Sequence, residues 1–140
     1  MRLFIPFKKA TLLIPSCPPT DLDRKHLFAV VTSPTLQGSE KFSLLVSFSS
    51  CKLGMYHDDA CIIEAGEHPF IRRRSFVDYS KARIESVDGL MRGVKGGILI
   101  PHEQVAEPLF NRICAGVTTS RHTPRRIIEF YNIALAQEGG

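Results

Sequence analysis

The apolar residues of this chain come in two rhythms, and the change between them constrains the fold more than any motif does. Up to about residue 100 they form short runs rich in β-branched and aromatic side chains, each cut off by proline, glycine or polar turn residues. Runs of that length and make-up are strands. From Val105 onward they recur every four positions, at Val105, Leu109 and Ile113 with Phe110 beside them, which is helical spacing. Strands first and helices last predict an α+β, mainly β chain: a small, strongly bent sheet or barrel with peripheral C-terminal helices.

Residues 11–19 read as a short strand stopped by Pro15, Pro18 and Pro19, because proline lacks a backbone donor and fixes φ. A polar loop leads to residues 27–32, a continuous apolar run expected as a central buried strand, and residues 42–50 resume the pattern after the turn-rich 33–38. Residues 61–64 form a further short strand closed at Gly66. Residues 75–79 and 82–85 alternate, with Val77, Tyr79 and Ile84 on one side. Leu90, Met91 and Arg92 read as one helical turn among glycines, and residues 97–100 as a strand ended by Pro101. A helix is expected over 107–115, with Pro108 in its first turn or at a kink and Gly116 closing it. A second is expected over 121–137, with Thr123 as N-cap, Pro124 as first helical residue, and Ile127, Ile128, Tyr131 and Leu135 as its apolar stripe.

At 140 residues the chain has room for one core, so a single domain over 1–140 is expected, with the barrel and first closing helix in 11–116. Its 44% hydrophobic and 23% charged residues argue against a disordered, collagen-like or disulfide-built chain. No apolar run approaches the roughly 20 residues of a membrane-spanning helix, and Lys8 and Lys9 interrupt the apolar N-terminus where a signal peptide would continue. A cytoplasmic protein with no membrane association is expected. Cys17, Cys51, Cys61 and Cys114 form no CxxC pair and are expected as free thiols.

The net charge of +4 favours anionic partners. Three basic groups stand out: Arg24, Lys25 and His26; Arg72, Arg73 and Arg74; and Arg121 and His122 with Arg125 and Arg126. If they converge they form a phosphate-binding surface, and a histidine among such cations has the chemistry for proton transfer at a phosphodiester. The alternative is that each group is an ordinary solvated face. Cys51, His57, Cys61 and His68 are metal-ligand types, but their spacing matches no tight zinc motif, and neither a metal nor another cofactor is expected. No GxxxxGK[ST], GxGxxG, HExxH or GxSxG motif is present.

In order along the chain, Leu12, Leu13 and Ile14 stand where an opening strand would, residues 29–34 read AVVTSP, residues 45–50 read LVSFSS and end in a hydroxyl pair, and residues 77–84 precede a glycine-led segment at 96–101. This pattern resembles the MazF/PemK family of toxin ribonucleases, whose members are small SH3-like barrels of type II toxin–antitoxin modules. The resemblance spans about residues 11–116. Leu27 and Phe28 stand where the family usually carries an Arg-Pro pair, its arginine being catalytic.

The resemblance implies a metal-independent endoribonuclease that binds single-stranded RNA as a homodimer, uses the substrate's own 2′-hydroxyl as nucleophile, and is paired with a cognate antitoxin protein. On that reading His26 is the acid or base, Arg24 and Lys25 stabilise the phosphate, and Ser50, or Ser49 beside it, orients the substrate. Arg73, Arg74, Arg121, His122, Arg125 and Arg126 are expected to contact nucleic acid, with Phe76 and Tyr79 stacking bases. The alternative is a non-catalytic barrel that binds nucleic acid or a partner protein through the same basic surface.

Overall fold

The computed structural model describes residues 6–15 and 25–139. Strands β1 (Thr11–Pro15), β2 (Lys25–Val30), β3 (Thr35–Gln37), β4 (Glu40–Ser50), β5 (Ile62–Ile63), β6 (Ser75–Ser86) and β7 (Ile100–His102) are joined by helices α1 (Val87–Lys95), α2 (Glu107–Thr119) and α3 (Arg125–Gly139). All pairings are antiparallel in the order β5-β6-β4-β2-β1-β7, with β3 folded back on β4. The sheet curls into a half-barrel, the mainly β arrangement with helices at the C-terminus that the two apolar rhythms predict.

Pleating divides the side chains of β4 between two cores. Leu44, Val46 and Phe48 join Leu27, Ala29, Val77 and Tyr79 on the face covered by Leu109, Phe110, Ile113 and Val117 of α2 and Ile127, Phe130 and Ala134 of α3. Leu45 points the other way, with Leu12, Phe28, Val30 and Leu90 of α1. This second core is small, and past it the same face turns polar. That polar end holds the candidate site.

β6 is one strand where the sequence reads as two. Its register against β4 passes from Leu45↔Arg83 to Ser47↔Asp78, so Val46 alone stands opposite residues 79–82. The bulge absorbs the break in alternation, bends the sheet and leaves Ser80 and Lys81 exposed.

The helices correct several expectations. α1 is a full helix, N-capped by the Ser86 hydroxyl, which accepts the Gly89 N–H at 3.0 Å. Its Gly93 is not a breaker: a Cβ there would lie 2.6 Å from Leu99 Cδ1. α2 keeps Pro108 in its first turn and runs through Gly116 to Thr119. Thr123 does not cap α3, since its hydroxyl is buried with no hydrogen-bond partner, and the Pro124 carbonyl accepts from Ile127 and Ile128. The inner stripe of α3 is Ile127, Phe130 and Ala134, and Leu135 is exposed. Pro101 lies inside β7, which pairs with β1 and tolerates proline as an edge strand.

Candidate functional site

Alternation along three neighbouring strands carries one set of polar side chains to the same face. On β2, His26 precedes Phe28; on β4, Ser47 stands opposite Phe28; on β6, Asp78 stands opposite Ser47 and Phe76 opposite Ser49. The bulge then brings Lys81 and Arg83 over the same face. A cavity of about 320 Å³ is lined by Pro15, His26, Phe28, Ser47, Ser49, Lys81 and Arg83. A wider one of about 470 Å³ shares His26, Ser49 and Lys81 with it and adds Lys25, Ser50, Lys52, Asp78 and the side chains of Met55, Tyr56, Phe70 and Phe76. Together they form one cleft that turns over the end of the sheet at Ser49 and Ser50.

Arg83 and Asp78 are held in place by their neighbours. The Arg83 guanidinium lies 4.7 Å from the centroid of the Phe28 ring, a cation–π contact, and its Nη1 is 3.6 Å from Glu85. Asp78 is buried, and its Oδ1 accepts from the Ser80 hydroxyl at 2.5 Å. Asp78 thus brings a carboxylate, and His26 an imidazole, to one cleft lined by lysines and serine hydroxyls.

The basic groups separate. Lys25 and His26 are in the cleft, while Arg24 lies outside the described residues. Arg72 and Arg73 line a small adjoining cavity of about 160 Å³ with Ser49 and Ser50, so they stand at the cleft's rim. Arg74 turns to Glu64 at 3.6 Å. Arg121 and His122 line a separate groove with His57, Asp58 and Asp59, where carboxylates offset the positive charge. His122 reaches toward the cleft through Tyr56, the two rings 5.2 Å apart. Arg125 pairs with Glu129 at 3.1 Å on the surface, and neither Arg125 nor Arg126 lines the cleft.

Tyr79 corrects an expectation: it is fully buried and its hydroxyl donates to the Ile113 carbonyl at 2.6 Å, so it cannot stack a base. Phe76 is also buried, at the cleft floor. The proposed metal-ligand types do not converge. His68 is buried with its Nε2 2.6 Å from the Glu103 carbonyl and its Nδ1 accepting the Phe70 N–H, and among the described residues no three His, Cys, Asp or Glu side chains cluster as ligands would. Cys51, Cys61 and Cys114 are free thiols, with Cys61 pushed up to about 11 by burial.

Asp78, Lys81 and Arg83 are the site residues that the basic runs did not reveal. Their signal was strand alternation: Lys81 and Arg83 sit two apart in a β pattern and therefore on one face.

Comparison with known proteins leaves the site to be read from its geometry, since no protein family, curated protein or solved structure matches the chain. Among the described residues no helix is long and apolar enough to cross a membrane.

Proposed function

We propose that the cleft is the active site of an endoribonuclease that cleaves single-stranded RNA without a metal ion, in a divergent barrel of the MazF/PemK type. The observation that carries this reading is the grouping of His26, Asp78, Ser49 and Lys81 around one cleft rimmed by further cations. Transesterification of RNA needs a base for the 2′-hydroxyl, an acid for the departing 5′-oxygen and positive charge at the phosphorane. Asp78 takes the 2′-hydroxyl proton, the 2′-oxygen bonds to phosphorus as the P–O5′ bond breaks, and His26 as imidazolium protonates the leaving oxygen. The products are a 2′,3′-cyclic phosphate and a 5′-hydroxyl. Lys81 and Arg83 supply the charge that the family's missing arginine would give, and Ser49, with Ser50 next to it, orients the phosphate. On this reading the barrel pairs with a second copy along an open sheet edge and works in the cytoplasm under the control of a cognate antitoxin protein.

The test is incubation with mixed-sequence single-stranded RNA in EDTA, with mapping of fragment ends. Cleavage that leaves cyclic phosphate ends and is lost in His26→Ala supports the reading. Intact RNA held in a salt-sensitive complex would instead identify a non-catalytic binding barrel.

A further inference from the structure

Large apolar side chains remain exposed along one wall of the cleft. Tyr56 is 53% exposed and Phe70 41%, yet both rings are fixed from behind. The Tyr56 ring packs edge-to-face with Phe76 at 6.0 Å and with His122 at 5.2 Å. Phe70 packs against His102 at 5.8 Å, and its backbone N–H is bonded to His68 Nδ1 at 3.0 Å. Anchored rings that stay open to solvent are poor economy for a core and well suited to holding a flat ligand.

The surrounding charge says what kind. Lys25, Lys52 and Lys81 line the same cavity, and Asp78 is the sole carboxylate among its described lining residues. An apolar peptide would gain nothing from these cations. A polyanion that also presents planar apolar faces would gain from both, and that combination is a single-stranded nucleic acid. A duplex keeps its base faces stacked inside and offers these rings nothing.

We propose that Tyr56 and Phe70 are base-stacking residues, each receiving one unpaired base beside the phosphate at His26, and that they make the cleft selective for single strands over duplex. The proposal rests on the reading of the cleft as an RNA-cleaving site and supplies the specificity element of that site. It also replaces Phe76 and Tyr79, whose burial removes them from this role.

The experiment uses the full chain and a fluorescently labelled 2′-O-methyl oligonucleotide, which lacks the nucleophilic hydroxyl and can be bound but not cut. Binding is followed by anisotropy beside an abasic strand of equal length and a duplex. Tyr56→Ala and Phe70→Ala are each expected to weaken binding of the base-bearing strand about tenfold, with little change for the abasic strand. Tyr56→Phe, which keeps the ring, should restore what Tyr56→Ala loses. Both positions are exposed, so the variants keep the fold, checked by circular dichroism. Unchanged affinity in both alanine variants, or an equal loss on the abasic strand, overturns the proposal.

Cleavage of unmodified RNA is assayed in parallel. RNA that is cut while the alanine variants bind normally removes the stacking residues and keeps the nuclease. Base-dependent binding without cleavage does the reverse, and a chain that neither binds nor cuts RNA removes both.

Discussion

The hydroxyl of Tyr79 fills the space that any side chain at position 116 would need: a Cβ on Gly116 would lie 1.9 Å from Tyr79 Oη and 2.4 Å from Cζ. The same hydroxyl donates to the Ile113 carbonyl at 2.6 Å. Strand β6 and helix α2 therefore meet without a gap, just where the bulge in β6 begins. The contact sets how the half-barrel sits against its helices, and through the bulge it helps to fix Lys81 and Arg83 over the cleft.

Gly116→Ala should accordingly be among the most damaging small substitutions, costing about 3 kcal/mol through overpacking and loss of the buried hydrogen bond. Tyr79→Phe alone should cost about 1 kcal/mol. The pair should not add, because removing the hydroxyl relieves part of the clash that Gly116→Ala creates. Urea unfolding of the two single variants and the double variant measures this, and strict additivity would show that the two residues are not coupled.

Why Gly116 reads as a helix stop in the sequence is now physical. A glycine after an apolar helical stripe is the usual end signal, and only a partner distant in sequence, Tyr79, shows that it is there for closeness instead. Gly93 is likewise there for closeness, although its partner Leu99 is near in sequence. Most strand positions along the chain, the polar end of β4 and the face of Val77 and Tyr79 follow from period alone, whereas the order in which the strands pair does not. The bulge does not, because the mismatch between β4 and β6 belongs to two strands together. Site legibility follows suit: His26 and Lys25 stand out as a local run, whereas Asp78, Tyr56 and Phe70 gain meaning only when the sheet assembles them. Arg125 and Arg126 stand out as strongly in the sequence, yet they lie outside the cleft, because a dense local run says nothing of where the fold carries it.

His68 makes acid stability testable. Burial holds its imidazole below the ordinary histidine value, and in the neutral form its Nδ1 accepts the Phe70 N–H. His102, whose Nδ1 accepts the Glu103 N–H, is the titratable ring packed against it, at 5.2 Å. Because the folded value is depressed, the unfolded chain takes up the proton first as pH falls below about 6.5. The stability contributed by neutral His68 is thus present above that pH and is lost on descending toward the folded value, by at most about 1.4 kcal/mol per pH unit. His68→Gln should be less stable than the wild type at pH 7.5, with the gap narrowing at pH 5.5. Urea midpoints at the two values read it, and a constant gap would exclude His68 as the titrating group.

The buried Asp58 provides a control on the region outside the cleft. Its Oδ2 accepts from the Ser120 hydroxyl at 2.5 Å and its Oδ1 from the Ala60 N–H at 2.9 Å, tying the end of α2 to the loop before β5. Ser120→Ala leaves a buried carboxylate oxygen without that donor and should cost about 2 kcal/mol. Its kcat on saturating RNA, measured at a temperature where the variant is folded, should match the wild type, while RNA affinity is free to change, because the Ser120 hydroxyl also accepts the N–H of His122, whose ring packs on Tyr56. A change in kcat without a change in stability would mean that the groove of Arg121 and His122 belongs to the proposed active site.

The most direct prediction separates cations in the cleft from cations merely near it. Lys81 lines both cavities beside His26, while Arg125 is spent on Glu129 at the surface. Lys81→Ala should lower kcat by about 100-fold if its charge meets the phosphorane, and should reduce the slope of log affinity against log salt by about one. His26→Ala should lower kcat by about 100- to 10,000-fold as a lost proton donor, while leaving the salt slope of binding to uncleavable RNA nearly unchanged above the pH at which imidazole is charged. Arg125→Ala should alter neither kcat nor slope, because its charge is paired with Glu129 on the exposed face of α3 and it lines neither cavity. Single-turnover cleavage and binding at three salt concentrations distinguish the three variants. Should Arg125→Ala match Lys81→Ala in both measurements, RNA would be running along α3 rather than through the cleft, and the site would have to be redrawn there.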